Sequence, residues 1–528
     1  MNYLKDRALL RGSLFLLQLA ALILLMGRTF WTGFPLDDAW IHQQVARTLA
    51  NLGTLGIYAD RPGAGATSYL WALVLSLDHL PIWPTHSPVL FTHALNAILY
   101  LASGQLFLSI LLGDGLRTRL AWTIALLFST AGNVVWFAGS GMEAMSFIFL
   151  TLLGIYYWQR ADPLRGSLGA GIVAGMLFLL RPETVLFVPL LLLFSRRPNL
   201  GRTMRLALPL CLILVTCVLM NRSWTGQAVP TTLSGRRWLY FGHFPGASYM
   251  DFMKGLLWGW TDALGKSTLG IHWGGGFWLT LGLALQGMRT IQPRCQRGLL
   301  LLVCWTLVHL ATYVVLFPSM GHGGRYQPLL PGIFMALAGL GLVSVYEHFR
   351  NRHALLPQPN PQVFPALLLV GLSVVSLTRW RRWQDCAVEH INRSEIQMGQ
   401  LLSTLPAEAR VASFDIGAIT YFSARRIVDL GGLVDPAFIP FLWSGHTADY
   451  LRREGIDHVV LPVTLSDDYP GMLNFRYRLG LLDDPTLRLV PVAVRESTVQ
   501  IWSAGFSAVW NASPRQCLYR VEWQGGGT

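Results

Sequence analysis

The sequence predicts a polytopic α-helical membrane protein with a small α/β domain at its C-terminal end. Of its 528 residues, 52% are hydrophobic and 13% are charged, and the mean hydropathy is +0.43. Soluble globular proteins carry about 25% charged residues, so this deficit alone indicates a membrane protein. Apolar runs of membrane-crossing length recur as far as residue 378. Beyond that point the pattern changes to short segments with the period-two alternation of strands.

Apolar windows of membrane-crossing length predict about eleven transmembrane helices. The first window is long enough to span a bilayer and shows no small-residue cleavage site, so we expect a retained helix that also directs insertion. Several other windows are shorter than the roughly 20 residues of a full span. The predicted helices are residues 9–27, 88–112, 120–138, 144–158, 168–181, 184–195, 206–220, 275–288, 298–318, 328–347 and 362–378.

The basic residues indicate the orientation of these helices, because cytoplasmic loops are enriched in Lys and Arg. The N-terminus and every second connection carry Lys5, Arg7, Arg11, Arg117, Arg119, Arg160, Arg165, Arg196, Arg197, Arg202, Arg205, Arg289, Arg294, Arg297, Arg350 and Arg352. We therefore predict a cytoplasmic N-terminus and two long outer loops, 28–87 and 221–274. The net charge of +13 is then mostly a matter of topology and argues against a nucleic-acid partner.

The odd number of spans places residues 379–528 outside the cytoplasm, as a domain separate from the transmembrane residues 1–378. Segments 408–415, 426–430, 487–502 and 517–523 have strand patterns, and 450–461 has the pattern of a helix that leads into a strand. This order predicts a small α/β domain. Disulfides persist outside the cytoplasm, so the sequence permits a Cys386–Cys517 bridge without establishing it.

Two adjacent carboxylates, Asp37 and Asp38, directly follow the first predicted helix. A charged pair next to a membrane span is costly to retain, which suggests a functional role. A structural interpretation is also open, because the next residues have helical apolar spacing and one acid could cap that helix. Capping accounts for one of the two acids and leaves the other unexplained.

Other polar residues gather at the same outer level, in the segments Ser140–Glu143, Arg181–Glu183 and Gly321–Tyr326. Any one of them alone is more often a hairpin charge or a snorkelling side chain than a ligand. Together they bring acids, cations and a histidine to one face of the membrane. Such a set could supply a general base and partners for an anionic leaving group such as a phosphate.

These motifs resemble those of GT-C-fold glycosyltransferases, and within them the bacterial arabinofuranosyl- and mannosyltransferase-like branch. Each motif is weakly specific, but the series is ordered and spans nearly the whole chain. One departure concerns the first outer loop, which lacks the aromatic and acidic residues expected after its glycine turn. The similar segments are Asp37–Ile41, Val45–Ala50, Gly65–Trp71, Ser140–Glu143, Arg181–Glu183, Gly324–Tyr326 with Pro328, Asp415–Tyr421 and Val428–Leu433.

The resemblance implies an inverting transfer of a sugar from a polyprenyl-phosphate donor to a cell-envelope glycan, lipid or protein. The reaction would take place on the outer face of the bacterial cytoplasmic membrane. Asp37 would be the general base, with Asp38 as the substitute candidate. A phosphate leaving group needs no protonation if cations hold it.

The remaining site residues are predicted to bind the substrates or to shape their cavity. Arg325, with His322 beside it, is the first candidate for the phosphate. No metal or other cofactor is expected, because no ligand set in the sequence demands one. The further candidates are Tyr326, Glu143, Arg181, Glu183, Arg236 and Arg237.

The main alternative function is a transporter or flippase for a lipid-linked saccharide. Transporters tend to place ionisable residues and broken helices near the middle of the membrane, often in two related halves. In this chain the polar residues lie at the outer ends of the helices, and no half-to-half repeat is visible. A third alternative is a structural or sensory protein, which a small α/β domain does not discriminate.

Overall fold

The computed structural model describes residues 2–82, 85–160, 163–195, 199–228, 230, 232–238, 248–269, 275–292, 295–352, 363–463, 475–497 and 515–524. Helices dominate the chain as far as residue 391. They are Asn2–Met26, Thr29–Thr32, Asp37–Leu52, Tyr69–Leu75, Pro88–Gly113, Thr118–Thr130, Gly132–Gly139, Ala144–Gln159, Pro163–Leu180, Phe187–Leu193, Leu200–Thr225, Thr232–Arg237, Tyr249–Leu269, Gly275–Thr290, Arg297–Leu316, Leu329–Arg352 and Val363–Ile391.

The predicted polytopic helical fold is confirmed, while the count of eleven spans stays a prediction. Every predicted window overlaps a helix or, for 120–138, two helices joined at a bend of 54°. That bent pair counts as a sixth span if it crosses as one unit, and three further apolar helices are shorter. Among the described residues, five helices are long and apolar enough to cross a membrane: Arg7–Met26, Pro88–Gly113, Leu200–Thr225, Arg297–Leu316 and Leu329–Arg350.

A buried tryptophan cluster packs at the bent helix pair. A Cβ atom on Gly132, the first residue after the bend, would lie 2.1 Å from Trp380, so the close approach of the two helices requires glycine. Trp136 lies 5.6 Å from Trp380 and 4.5 Å from Trp383 between ring centroids. The cluster joins the bent helix pair to helix Val363–Ile391.

Helix Tyr249–Leu269 lies inside the region predicted as the second long outer loop, 221–274. Its sequence includes Asp251, Lys254 and Asp262, which lower its hydropathy below that of a membrane span. It packs against Gly275–Thr290 and Val363–Ile391. The region predicted as a loop therefore contains an additional helix that the apolar windows could not reveal.

The C-terminal region contains the predicted α/β domain, with a five-stranded sheet. Its strands are β1 (Val411–Ser413), β2 (Ile427–Asp429), β3 (His458–Val463), β4 (Leu487–Glu496) and β5 (Arg515–Trp523). The order is β2-β1-β3-β5-β4, with β1 parallel to β2 and β3, and β5 antiparallel to β3 and β4. The fourth strand was predicted to run to residue 502 but ends at Glu496, and residues 498–502 lie outside the described part.

Two further expectations for this region were a disulfide between Cys386 and Cys517 and a domain boundary after residue 378. Cys386 and Cys517 are both free thiols, so the bridge that the sequence permitted is not formed. Helix Val363–Ile391 runs without interruption through residue 378, where we expected the two domains to meet. The boundary between residues 1–378 and 379–528 stays a prediction.

The segment after the first long helix docks onto the C-terminal domain through several polar contacts. The Tyr58 hydroxyl donates to the carbonyl of Ile427 at 2.9 Å and accepts from its N–H at 2.9 Å, so it pairs with the edge strand β2. Arg61 forms an ion pair with the buried Asp435 at 2.9 Å. Arg47 lies 4.1 Å from the ring centroid of Tyr421. These contacts hold the two parts of the chain around a shared site.

Candidate active site

Asp38 and Arg325 form the central ion pair of the candidate site. Arg325 Nη2 donates to Asp38 Oδ2 at 2.5 Å. Arg325 is almost fully buried, whereas the Asp38 side chain is 28% exposed. Although burial raises the pKa of the Asp38 carboxyl, the guanidinium groups of Arg325 and Arg236 lower it well below its ordinary value. Asp38 is therefore a carboxylate at neutral pH with access to open space.

Asp37 has a different environment, because consecutive residues on a helix point about 100° apart. Its two carboxylate oxygens accept hydrogen bonds from the N–H groups of Gly417 at 2.8 Å and Ala418 at 2.7 Å. Burial raises the pKa of Asp37 well above its ordinary value, and the nearby Asp415 and Glu395 raise it further. Asp37 thus connects the first outer helix to the C-terminal domain.

The interpretation that Asp37 or Asp38 caps the helix on which the pair lies is wrong. Helix Asp37–Leu52 begins after Leu36, and no side chain caps it. Asp37 instead accepts the N–H groups at the start of the helix Ala418–Ser423, in the C-terminal domain. That contact satisfies donors that a helix N-terminus leaves without partners.

Replacing Gly417 tests this connection. A Cβ atom on Gly417 would lie 2.1 Å from the carbonyl oxygen of Asp37, so Gly417→Ala must push the two helices apart. We expect a loss of about 1–3 kcal/mol in stability and faster proteolysis between the two domains. Gly255→Ala, where nothing lies within 4 Å of the added atom, is the control. Equal proteolysis rates for the two variants would contradict the docking contact.

Arg325 lies on a glycine-rich loop that packs tightly against tryptophans. Gly321, Gly323 and Gly324 all have positive φ angles, of 65°, 64° and 84°. A Cβ atom on Gly323 would lie 2.3 Å from Trp136, and one on Gly324 would lie 2.4 Å from Trp260. Glycine is required both for the backbone conformation and for this contact.

Arg181, which is paired with Glu143, forms hydrogen bonds to the backbone of the same loop. Arg181 donates to Glu143 Oε1 through Nε at 3.1 Å and Nη2 at 2.8 Å. It also donates to the carbonyl oxygens of Tyr326 at 3.1 Å and Arg325 at 2.8 Å. Burial would raise the pKa of Glu143, but Arg181 brings it to about 2, so the pair is ionised. These two residues position Arg325.

Of the other predicted site residues, Tyr326 lies at the site and Glu183 does not. Tyr326 stays at the site, because its ring lies 5.7 Å from the guanidinium of Arg236 and 5.3 Å from that of Arg325. Glu183 is directed elsewhere: it accepts from the Tyr313 hydroxyl at 2.7 Å and lies 3.6 Å from His309 Nε2.

Two cavities meet at Asp38. The first, here called the carboxylate cavity, has a volume of about 170 Å³ and is lined by Asp37, Asp38, Glu395, Asp415, His322 and His390, among others. The second, here called the arginine cavity, is smaller, about 20 Å³, and its polar lining is Asp38, His42, Thr67, Thr232 and Arg236. Arg237 is exposed and lines neither of the two. Asp38 is the acid that faces both.

Several solved structures have a fold similar to that of the chain. ArnT from Cupriavidus metallidurans, bound to undecaprenyl phosphate, has a TM-score of 0.54 at 13% identity and covers 96% of this chain and 98% of its own. The archaeal oligosaccharyltransferase AglB from Archaeoglobus fulgidus, in complex with an inhibitory peptide and a dolichol-phosphate, has a TM-score of 0.54 at 12% identity, with 86% and 69% covered. The chain has the GT-C fold.

A third GT-C structure, the arabinofuranosyltransferase AftD from Mycobacteria, has a TM-score of 0.50 at 16% identity and covers 97% of this chain and 41% of its own. One family model, a domain of unknown function called DUF8728, matches residues 386–514. No curated protein matches the chain significantly. The GT-C likeness extends over the membrane helices and the C-terminal domain together and confirms a multi-pass membrane protein.

Sequence reasoning missed several residues of this site. His42 follows Asp38 by one helical turn, so helical spacing could have placed it on the same face, and its Nε2 lies 3.6 Å from Glu143 Oε2. Asp415 stood inside a recognised motif but received no role. His390 and Glu395 lie 3.2 Å apart on the extension of the last long helix, and nothing in their spacing pointed to the site.

Proposed function

We propose that the protein is a glycosyltransferase that moves a sugar from a polyprenyl-phosphate donor to a cell-envelope acceptor on the outer face of the cytoplasmic membrane. One observation carries this proposal: Asp38 lies between a buried arginine and a cavity rich in carboxylates. The GT-C fold adds support, since two proteins that share it were solved with undecaprenyl phosphate and with a dolichol-phosphate. The orientation follows from the basic loops, with the N-terminus cytoplasmic and residues 379–528 outside.

The arginine side of Asp38 suits the donor phosphate. Arg325 and Arg236 both lower the pKa of Asp38, so both are close enough to act on a negative charge there. Arginine binds phosphate oxygens through paired N–H donors, and His322, on the same loop as Arg325, lines the carboxylate cavity on the other side of Asp38. Held in this way, the phosphate can leave without a proton, because the cations stabilise its developing charge.

We assign the general base to Asp38, although the sequence favoured Asp37. Both oxygens of Asp37 are already hydrogen-bonded to backbone N–H groups, whereas Asp38 Oδ1 has no hydrogen-bond partner among the described residues. In the reaction an acceptor hydroxyl oxygen attacks the anomeric carbon, its proton passes to Asp38, and the bond from that carbon to the phosphate oxygen breaks. A single displacement of this kind inverts the configuration.

Arg325 also controls how basic Asp38 is. While the two are paired, the pKa of Asp38 is too low for efficient proton transfer. A donor phosphate that attracts Arg325 weakens this pair and raises the pKa of Asp38. The base would therefore become effective when the donor is bound.

The proposal is tested by purifying the protein with its lipids and identifying a bound polyprenyl-phosphate sugar by mass spectrometry. Arg325→Ala should weaken donor binding by about tenfold to a hundredfold, because one charged hydrogen bond contributes about 1.5–3 kcal/mol. Arg222→Ala, on the exposed end of helix Leu200–Thr225, is the control for loss of a positive charge. Unchanged donor affinity in Arg325→Ala would overturn the phosphate assignment. Movement of an intact lipid-linked saccharide across vesicles, without transfer, would favour the transporter.

A further inference from the structure

The carboxylate cavity lies where the membrane helices meet the C-terminal domain. Asp37 and Asp38 come from the first outer helix, Glu395 follows the last long helix, and Asp415 follows strand β1. The carboxyl ends of parallel strands are a common position for binding residues. With about 170 Å³, the cavity is large enough for several water molecules and thus for a sugar ring.

The lining of this cavity combines aromatic rings with a few polar groups. Trp383, Phe414 and Phe475 are the aromatic residues of its apolar part, and the rings of Phe414 and Phe475 lie 4.5 Å apart. Ligand sites typically have this composition, in which apolar walls bury the ligand and a few polar groups orient it.

Two polar groups at the cavity each keep one atom without a hydrogen-bond partner among the described residues. His390 is 4% exposed; its Nε2 lies 3.2 Å from Glu395 Oε1, but its Nδ1 has no partner within the described residues. Asp415 Oδ2 accepts from Gln516 Nε2 at 2.6 Å, while Oδ1 of the same carboxylate has no hydrogen-bond partner in that part of the chain. Buried polar groups are normally hydrogen-bonded, so the buried His390 indicates where a ligand would bind, and the partly exposed Asp415 offers a second hydrogen-bonding group at the same cavity.

The charge of the cavity limits what can enter it. Four carboxyl groups and two histidines, His322 and His390, line it, whereas Arg236 lines the arginine cavity on the other side of Asp38 and Arg325 pairs with Asp38 itself. Burial and the neighbouring Glu395 raise the pKa of Asp415 to about 7, so at neutral pH it can donate as well as accept hydrogen bonds. Hydroxyl groups match both states of Asp415, whereas a phosphate or carboxylate would face the carboxylates of Asp38 and Glu395.

Building on the proposed function, we propose that the carboxylate cavity is the acceptor site and that it selects a sugar without negative charge. The acceptor ring stacks on the aromatic wall, its hydroxyls bond to Asp415 and to the His390–Glu395 pair, and one hydroxyl reaches Asp38. The two substrates are thereby separated by charge, with the phosphate-bearing donor on the arginine side and a neutral or amino sugar on the carboxylate side.

Three probes with the same ring test this selectivity: methyl β-glucoside, methyl β-glucosaminide and glucose 6-phosphate. Their binding to the full-length protein in lipid nanodiscs is compared by saturation-transfer NMR. We expect the first two to bind at least about tenfold more tightly than the phosphate, because like charges repel strongly at a partly buried site. Equal or tighter binding of glucose 6-phosphate, or no binding of the neutral glycoside, would overturn the inference.

Variants connect the selectivity to this cavity. Asp415→Asn combined with Glu395→Gln should reduce the preference for the neutral glycoside, and Ala387→Leu, which fills the cavity, should abolish binding of all three probes. Asp449→Asn removes an exposed charge of the same domain and should change nothing. Unaltered selectivity in the double variant would contradict the assignment.

Donor binding is measured on the same samples by mass spectrometry of the bound lipid. It shows whether each variant is folded and tests the proposed function separately. If the donor binds but the probes show no charge selectivity, the acceptor site is wrong and the transferase proposal stands. If the selectivity is present but no donor binds, the transferase proposal is wrong and the cavity is still a binding site for sugars without negative charge.

Discussion

Asp38→Asn is expected to abolish sugar transfer while the protein still binds its donor. The amide cannot take a proton from the acceptor hydroxyl, and loss of a general base lowers rates by about 10²–10⁴-fold. Donor affinity should stay the same or increase, because Asp38 competes with the donor phosphate for Arg325. Transfer from a polyprenyl-phosphate sugar and donor affinity, measured on the same preparation, check both parts.

Asp37→Asn is the matched comparison, and its expected defect is structural. An amide oxygen can replace one carboxylate oxygen, but the amide NH₂ group would face the second backbone N–H group. We expect a loss of about 1–3 kcal/mol in stability and a partial loss of transfer. If Asp37→Asn is folded but inactive and Asp38→Asn is active, the base is Asp37, as the sequence suggested. Full activity in both single variants and in the double variant would contradict the mechanism.

The helices were predictable because the membrane imposes one simple requirement, a long apolar segment. Window 88–112, for example, matches helix Pro88–Gly113 almost residue by residue. Helix Tyr249–Leu269 escaped the same test because charged residues interrupt its apolar pattern. The strands of the C-terminal domain were found from their period-two alternation, although their ends shifted by several residues.

The roles within the site were less predictable, because they depend on partners far away in the chain. Asp38 pairs with a residue 287 positions later, and Asp37 with one 380 positions later. The sequence showed two neighbouring acids with no visible difference between them. Only the rotation of about 100° between consecutive residues of a helix directs Asp38 towards the loop that carries Arg325 and Asp37 towards the C-terminal domain.

Arg181→Met should be strongly destabilising, and the reason is the acid that it leaves behind. Arg181 and Glu143 have side chains only 6% and 8% exposed, and removing one member of a buried ion pair costs about 3–5 kcal/mol. Glu143→Gln combined with Arg181→Met removes the uncompensated charge. We therefore expect the double variant to recover much of the stability, as measured by thermal unfolding followed through tryptophan fluorescence.

Transfer should not recover with stability, because the double variant still lacks the donors that hold the Arg325 and Tyr326 carbonyls. With that loop released, Arg325 is no longer fixed opposite Asp38, and donor binding and transfer should fall together. A purely structural role predicts instead that activity follows the unfolding temperature. A stable double variant with full transfer would show that Arg181 does not position the phosphate-binding arginine.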